Sequence, residues 1–172
     1  MKVLASVGLA VGGILGMAGT FAPTAALRGV AWGIDGTALI MASALLMVVF
    51  LREGQDMVAA GFLVFAIGES LVVATAAMEL TAAVPFFGAG TGVWAMAIAL
   101  ISAPRVFPLA VRLLGMTASL LLAATALQIL AGARLTPTTA PLPFLAYPFL
   151  VATMAGWIWM LLRRAPTPST RG

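Results

Sequence analysis

The stretch "TALIMASALLMVVFLREGQDMVAAGFLVFAIGESLVVATAAM" (37–78) contains two long apolar runs separated by a short charged run, REGQD (52–56). A helix needs about 20 mostly apolar residues to cross the hydrocarbon core of a bilayer. The second run has that length, and the first reaches it when it is extended back to residue 30. The stretch therefore predicts two antiparallel membrane-spanning helices joined by a short charged turn.

The rest of the chain has the same character. Of its 172 residues, 63% are hydrophobic and only 8% are charged, whereas soluble domains carry about 25% charged residues. We predict an all-α polytopic membrane protein, a bundle of about six transmembrane helices, at roughly 3–20, 30–51, 57–78, 88–103, 108–131 and 143–162. Residues 1–162 would form a single transmembrane domain, and residues 163–172 a short, basic, polar tail.

Counted along the whole chain, the first two apolar runs, 3–20 and 30–51, leave alternatives open. The first run also resembles a secretory signal peptide, because a basic start precedes an apolar centre and small residues; we expect an uncleaved helix. The second contains Asp35-Gly36, a turn signal, so its helix begins either near residue 30 or near residue 37. The later start would leave an interrupted segment of the kind that marks binding sites in transporters. We favour an ordinary helix, with Asp35 near its N-terminal, electropositive end.

The basic residues predict the orientation. Six spans place both termini on one side of the membrane. Of the nine Lys and Arg residues, two would lie on the far side, Arg28 and Arg134. The other seven would lie with the termini: Lys2, Arg52, Arg105, Arg112, Arg163, Arg164 and Arg171. Because positive charge stays cytoplasmic, both termini are expected in the cytoplasm. The excess of Arg over Lys suggests a bacterial genome, and hence the bacterial cytoplasmic (inner) membrane.

Small residues mark two candidate helix-packing faces. Gly8, Gly12 and Gly16 recur at four-residue spacing in the first run, and Gly88 and Gly92 open the fourth. Helices in lipid associate through close backbone contact, which small residues permit. The partner of each face is either another helix of this chain or another protein.

Glu69 is the most unusual residue of the apolar runs. It lies about 18 Å from the start of its predicted helix, at about 1.5 Å per residue. A charge near the membrane centre costs about 3 kcal/mol, so we expect a protonated side chain that faces other helices. Three hypotheses remain: a structural hydrogen bond between helices, an ion pair with Arg28 or Arg134, or a proton or cation site.

Other polar residues share the membrane half of Glu69. The same count along the helices places Asp35 and Gln128 in that half and Arg28 near its surface. If helices 2, 3 and 5 are neighbours, these side chains form one intramembrane polar cluster. We therefore predict a candidate proton or ion site made of Glu69, Asp35, Gln128 and Arg28.

The composition argues against several functional classes. The chain contains no cysteine and no histidine, which removes thiolate nucleophiles, the usual general base and the usual zinc or haem ligands. It has no nucleotide-binding or hydrolase motif. Its basic residues are scattered, so nucleic-acid binding is not expected. We expect no catalytic residues, no cofactor and no metal site.

Two functions remain after these exclusions. One is a non-enzymatic subunit or accessory factor that packs through helix 1 or helix 4 against a larger membrane complex. The alternative is a small oligomeric transporter or channel for a proton, a cation or a small solute, using intramembrane Glu69 and Asp35. The expected partners are the lipid bilayer and either other membrane subunits or further copies of the chain. The short loops and the scarcity of polar chemistry favour the first.

Overall fold

The computed structural model describes residues 1–163, and six α-helices make up most of this part of the chain. They are α1 (Lys2–Thr20), α2 (Ala25–Arg52), α3 (Asp56–Val73), α4 (Leu80–Ser102), α5 (Leu109–Leu130) and α6 (Ala146–Arg163). All six are long and apolar enough to cross a membrane. The prediction of an all-helical protein is confirmed, as is the prediction of six helices with the length and apolar composition of membrane spans. Apart from Arg163, which ends α6, the predicted tail 163–172 lies outside the described residues.

The bounds of α3 and α4 differ from those predicted. Helix α3 ends at Val73 rather than near residue 78, and α4 begins at Leu80 rather than near residue 88. Pro85 lies inside α4, although the sequence predicted a break there. Pro85 is the sixth residue of the helix, so it removes one intrahelical hydrogen bond, and α4 continues through it.

Helix α2 is continuous through Asp35 and Gly36. It begins at Ala25, where the side chain of Thr24 accepts a hydrogen bond from the backbone N–H of Leu27 at 3.2 Å. This N-cap satisfies a donor that the helix leaves free at its start. The alternative of a late, interrupted second helix is therefore wrong. The expected position of Asp35 near the N-terminal end is also wrong, because α2 begins five residues earlier than residue 30 and Asp35 is its eleventh residue.

The six helices form a closed ring. Each helix packs against the next one in sequence, and α6 packs against α1. Within the described helices, α5 is in backbone contact with α4 and α6, and not with α2 or α3. The expectation that helices 2, 3 and 5 are neighbours is therefore wrong.

The two ends of the ring differ in character. At one end, the ammonium of Lys2 forms an ion pair with the carboxylate of Glu53 at 2.8 Å, which joins the start of α1 to the α2–α3 connection. At the other end, the rings of Phe21 and Phe144 meet edge-on, with centroids 5.9 Å apart. We call the first end, with Lys2, Arg52, Arg105 and Arg163, the basic end. We call the other, with connections 21–24, 74–79 and 131–145, the cavity end, because the ring holds an interior cavity on that side.

The glycines of α1 face α2. A Cβ atom added at Gly8 would lie 2.9 Å from the carbonyl oxygen of Ala38 and 2.9 Å from the Cβ of Ala42. No real side chain fits at such distances, so the contact requires glycine. Gly12 and Gly16 continue the same face toward the cavity end.

The glycines of α4 face α5. Gly88 lies against the side chain of Ile129, where an added Cβ would come within 2.6 Å, and Gly92 lies 3.4 Å from the Cβ of Ala126 by the same measure. Both small-residue faces identified in the sequence are thus in contact with neighbouring helices of this chain.

Aromatic side chains fill the interior of the ring at the basic end. Phe62 stacks on Phe50 with centroids 5.5 Å apart and meets Trp157 edge-on at 5.2 Å. Phe107 contacts Phe50 and Trp157 at 5.8 and 6.3 Å. All four are buried. This aromatic plug (Phe50, Phe62, Phe107 and Trp157) closes the ring at that end.

Candidate functional site

Between the aromatic plug and the cavity end, the interior of the ring contains a cavity. Side chains from α1, α2, α3, α4 and α6 line it, together with Pro137 from the α5–α6 connection. Its enclosed space is about 70 Å³. Thr20, Thr75 and Pro137 line it at the cavity end, and Asp35 and Glu69 lie further along the helices toward the plug. A ring of six apolar helices thus encloses a cavity that carries two acidic side chains.

Glu69 projects from the last turn of α3 into this cavity. Its side chain is buried, with an exposed fraction of 2%. Oε1 lies over Gly36 of α2, where an added Cβ would come within 3.1 Å of it. Oε2 has no hydrogen-bond partner among residues 1–163. The fold therefore buries an acceptor that it does not satisfy, which costs about 1–3 kcal/mol.

Trp94 of α4 is a neighbour of the Glu69 carboxyl. The two side chains interact, but the indole Nε1 makes no hydrogen bond of acceptable geometry within the described part of the chain. The ring of Trp94 stacks on Phe65 with centroids 6.1 Å apart. This stacking fixes the indole beside the carboxyl.

Asp35 reaches the cavity from the middle of α2. Its carboxyl lies against the backbone of α1: an added Cβ at Gly16 would come within 2.9 Å of Oδ2, and one at Gly12 within 3.2 Å of Oδ1. Oδ1 is buried and has no hydrogen-bond partner in the described structure. Gly12 and Gly16 therefore do more than bring two helices together, because they make room for a carboxyl between them.

The two carboxyls share one environment. Asp35 and Glu69 are close enough to interact electrostatically, and Tyr147 of α6 interacts with both. No Lys or Arg is found among the described residues that line the cavity. The cavity thus holds two acids and no basic side chain to balance them.

Two members of the predicted polar cluster lie elsewhere. The guanidinium of Arg28 lies over the ring of Trp32, 5.7 Å from its centroid, outside the cavity. Gln128 is exposed on α5, because α5 does not adjoin α2 or α3. Arg134 is exposed in the α5–α6 connection. The hypothesis of an ion pair between Glu69 and Arg28 or Arg134 is wrong, since Lys2–Glu53 is the ion pair found within residues 1–163.

Aromatic residues of the cavity were not identified from the sequence. Trp94 falls near a predicted helix end, which favours an anchor at the membrane surface, yet it is buried inside the ring. Trp32 also lines the cavity, and its Nε1 donates to the carbonyl oxygen of Gly16 at 3.2 Å. Tyr147 is the single tyrosine of the chain. Its position within an apolar run is the one sequence feature that could have marked it as a cavity residue.

The cavity does not offer a multidentate metal site. Within residues 1–163, no three Asp or Glu side chains come together in a way that could hold a metal ion. Hard divalent cations take about six or more oxygen ligands. The two carboxyls alone supply fewer oxygen ligands than such an ion takes.

Comparison of the chain with models of known protein families, with characterised proteins and with solved structures finds no match. Function is therefore inferred from the cavity itself.

Proposed function

We propose that this protein is a small transporter of the bacterial cytoplasmic (inner) membrane that moves a proton, a monovalent cation or a small cationic solute. The observation that carries the proposal is a pair of carboxyls, Glu69 and Asp35, that face one cavity inside a closed ring of six helices. Each has a buried oxygen without a hydrogen-bond partner among the described residues. Intramembrane acids are costly, and they recur where ions or protons pass.

The aromatic plug favours a transporter over an open channel. The residues that line the cavity reach from Thr75 and Pro137 to Leu39 and Met154 and do not include the plug, whose buried rings pack together at the basic end. A site that is reached from one side is what alternating access requires. The site is complete within one chain, so transport by this route does not need an oligomer.

The basic end is proposed to face the cytoplasm. Lys2, Arg52, Arg105 and Arg163 lie at that end, and the positive-inside rule retains such charges in the cytoplasm. The cavity would then open to the external side. An external solute would reach Asp35 and Glu69 without crossing hydrocarbon.

Two neighbouring carboxyls without a counter-cation favour exchange of a cation for a proton. Like charges close together cannot both ionise without strong repulsion. In the empty cavity the pair would therefore keep at least one proton. An entering monovalent cation would supply the missing charge, and the proton would leave to the aqueous phase, so that the charge of the site is unchanged.

The alternative, an accessory subunit of a larger complex, keeps less support. It relied on glycine faces that could receive a partner protein. In α1 and α4 these faces lie against α2 and α5. Purification in mild detergent separates the two functions, because a stoichiometric partner protein favours the subunit and the chain alone favours the transporter.

Proton flux in proteoliposomes tests the proposal. A pH-sensitive dye in the lumen would report the decay of an imposed pH gradient after external addition of Na⁺, K⁺ and small amines. Glu69→Gln keeps the shape of the neutral acid but cannot release a proton, so it should abolish the flux. Glu79→Gln changes an exposed acid outside the cavity and should leave the flux intact. Equal flux in parent and Glu69→Gln would overturn the proposal.

A further inference from the structure

The described cavity wall selects for positive charge. The acids come from α2 and α3, while α1, α4 and α6 contribute no charged side chain to the wall. The cations of the cavity end lie outside it: Arg28 is over Trp32, and Arg134 is exposed in the α5–α6 connection. An anion entering this cavity would find no counter-charge. A cation would find two carboxyls.

The free oxygens of the two carboxyls select for hydrogen-bond donors. Oε2 of Glu69 and Oδ1 of Asp35 are both buried, and neither receives a hydrogen bond in the described chain. An ammonium group supplies up to three N–H donors as well as a charge, and charge-assisted hydrogen bonds are the strong ones. A quaternary ammonium supplies the charge alone.

The remainder of the wall selects for an apolar body. Phe87, Trp94 and Tyr147 contribute aromatic rings, and Leu39, Leu150 and Met154 contribute aliphatic surface. Aromatic faces attract cations, and apolar walls bind hydrocarbon. The flexible methionine side chain can adapt to apolar solutes of different shape. A small hydrated inorganic ion would leave this surface without a partner.

We infer that the solute is a protonated primary amine with an apolar body, bound with its ammonium group between Glu69 and Asp35. This inference rests on the proposed function and names its substrate class. Binding of R–NH₃⁺ releases one proton from the carboxyl pair, so charge and protons balance. The apolar body lies along the aromatic and aliphatic wall, toward the mouth or the plug.

Calorimetric titration of the purified full chain in detergent tests the inference. The probes are hexylammonium and 2-phenylethylammonium. The controls are 2-phenylethanol, which lacks the charge, the N,N,N-trimethyl derivative of 2-phenylethylammonium, which lacks the donors, and K⁺. We expect both amines to bind and each control to bind at least about tenfold more weakly, because each lacks the charge, the donors or the apolar body.

Variants and proton counting make the result specific to the site. Glu69→Gln and Asp35→Asn should each weaken amine binding at least about tenfold, and Glu79→Gln should not. Repeating the titration in buffers of different ionisation enthalpy should show release of about one proton per amine bound, which a merely structural role of the acids would not produce.

The outcomes separate this inference from the proposed function. If K⁺ or the trimethyl derivative binds as tightly as the amines, or neither amine binds, the inference is overturned. If neither amine binds but K⁺ still drives a Glu69-dependent proton flux, the transport proposal stands and the inferred substrate class is wrong. If the amines bind with the expected preferences but no flux follows, the inference stands and the transport proposal fails.

Discussion

Replacing Glu69 by leucine should stabilise the protein. The side chain is 2% exposed and its Oε2 has no hydrogen-bond partner among residues 1–163. Burying such an unsatisfied group costs about 1–3 kcal/mol, and replacing it by an apolar group of similar size removes that cost. The neighbouring Trp94 loses little, because its Nε1 makes no well-formed hydrogen bond to the carboxyl. We therefore expect the free energy of unfolding to rise by about 1–3 kcal/mol.

Unfolding in mixed micelles measures this effect. Detergent micelles are titrated with dodecyl sulfate, and the free energy of unfolding is obtained for the parent, Glu69→Leu and Glu69→Gln. The glutamine variant keeps a buried polar group, so its stability should stay near that of the parent. A loss of more than about 1 kcal/mol in Glu69→Leu would refute the reasoning, because it would mean that the carboxyl makes a structural hydrogen bond between helices.

Three further predictions concern packing, closure and topology. Gly8→Ala should be less stable than Gly33→Ala by about 1–3 kcal/mol in the same titration. A Cβ at Gly8 would meet the backbone of α2, whereas one at Gly33 would meet nothing within 4 Å. Equal stability of the two variants would mean that α1 does not pack against α2 as described. Phe62→Ala should lower stability by about 3–5 kcal/mol and raise the proton leak of proteoliposomes, and an unchanged leak would mean that the plug is not the barrier. A reporter fused after Gly172 should read cytoplasmic and one inserted at Thr138 external; the reverse would contradict the orientation.

The number and type of the helices were predictable because hydrocarbon leaves few alternatives. A backbone in lipid must satisfy its own hydrogen bonds, so each long apolar run becomes a helix. The suspicion about Glu69 and Asp35 follows from the same physics, since an acid in hydrocarbon is costly wherever it lies. These conclusions need no knowledge of which helices are neighbours.

Helix neighbours were not predictable, and the errors follow from that. In a membrane helix both the inward and the outward face are apolar, so hydrophobic periodicity does not mark the interior. Gln128 was therefore grouped with Glu69 although α5 does not adjoin α3, and the burial of Trp94 was missed. The spacing of the α1 glycines predicted a packing face, but not that Gly16 makes room for the carboxyl of Asp35.

Cysteine accessibility at Glu69 tests the central claim most directly. The chain contains no cysteine, so a single introduced thiol is the only target within this protein when it is purified after labelling. Glu69 faces the cavity, whereas Ser70, at the same depth on α3, is exposed on the outer surface of the ring, where lipid would cover it. With a membrane-impermeant cationic thiol reagent added outside intact cells, Glu69→Cys should be modified and Ser70→Cys should not. Modification of Glu69→Cys only from the cytoplasmic side would contradict the orientation, and no modification from either side would contradict a cavity that brings cations to this position.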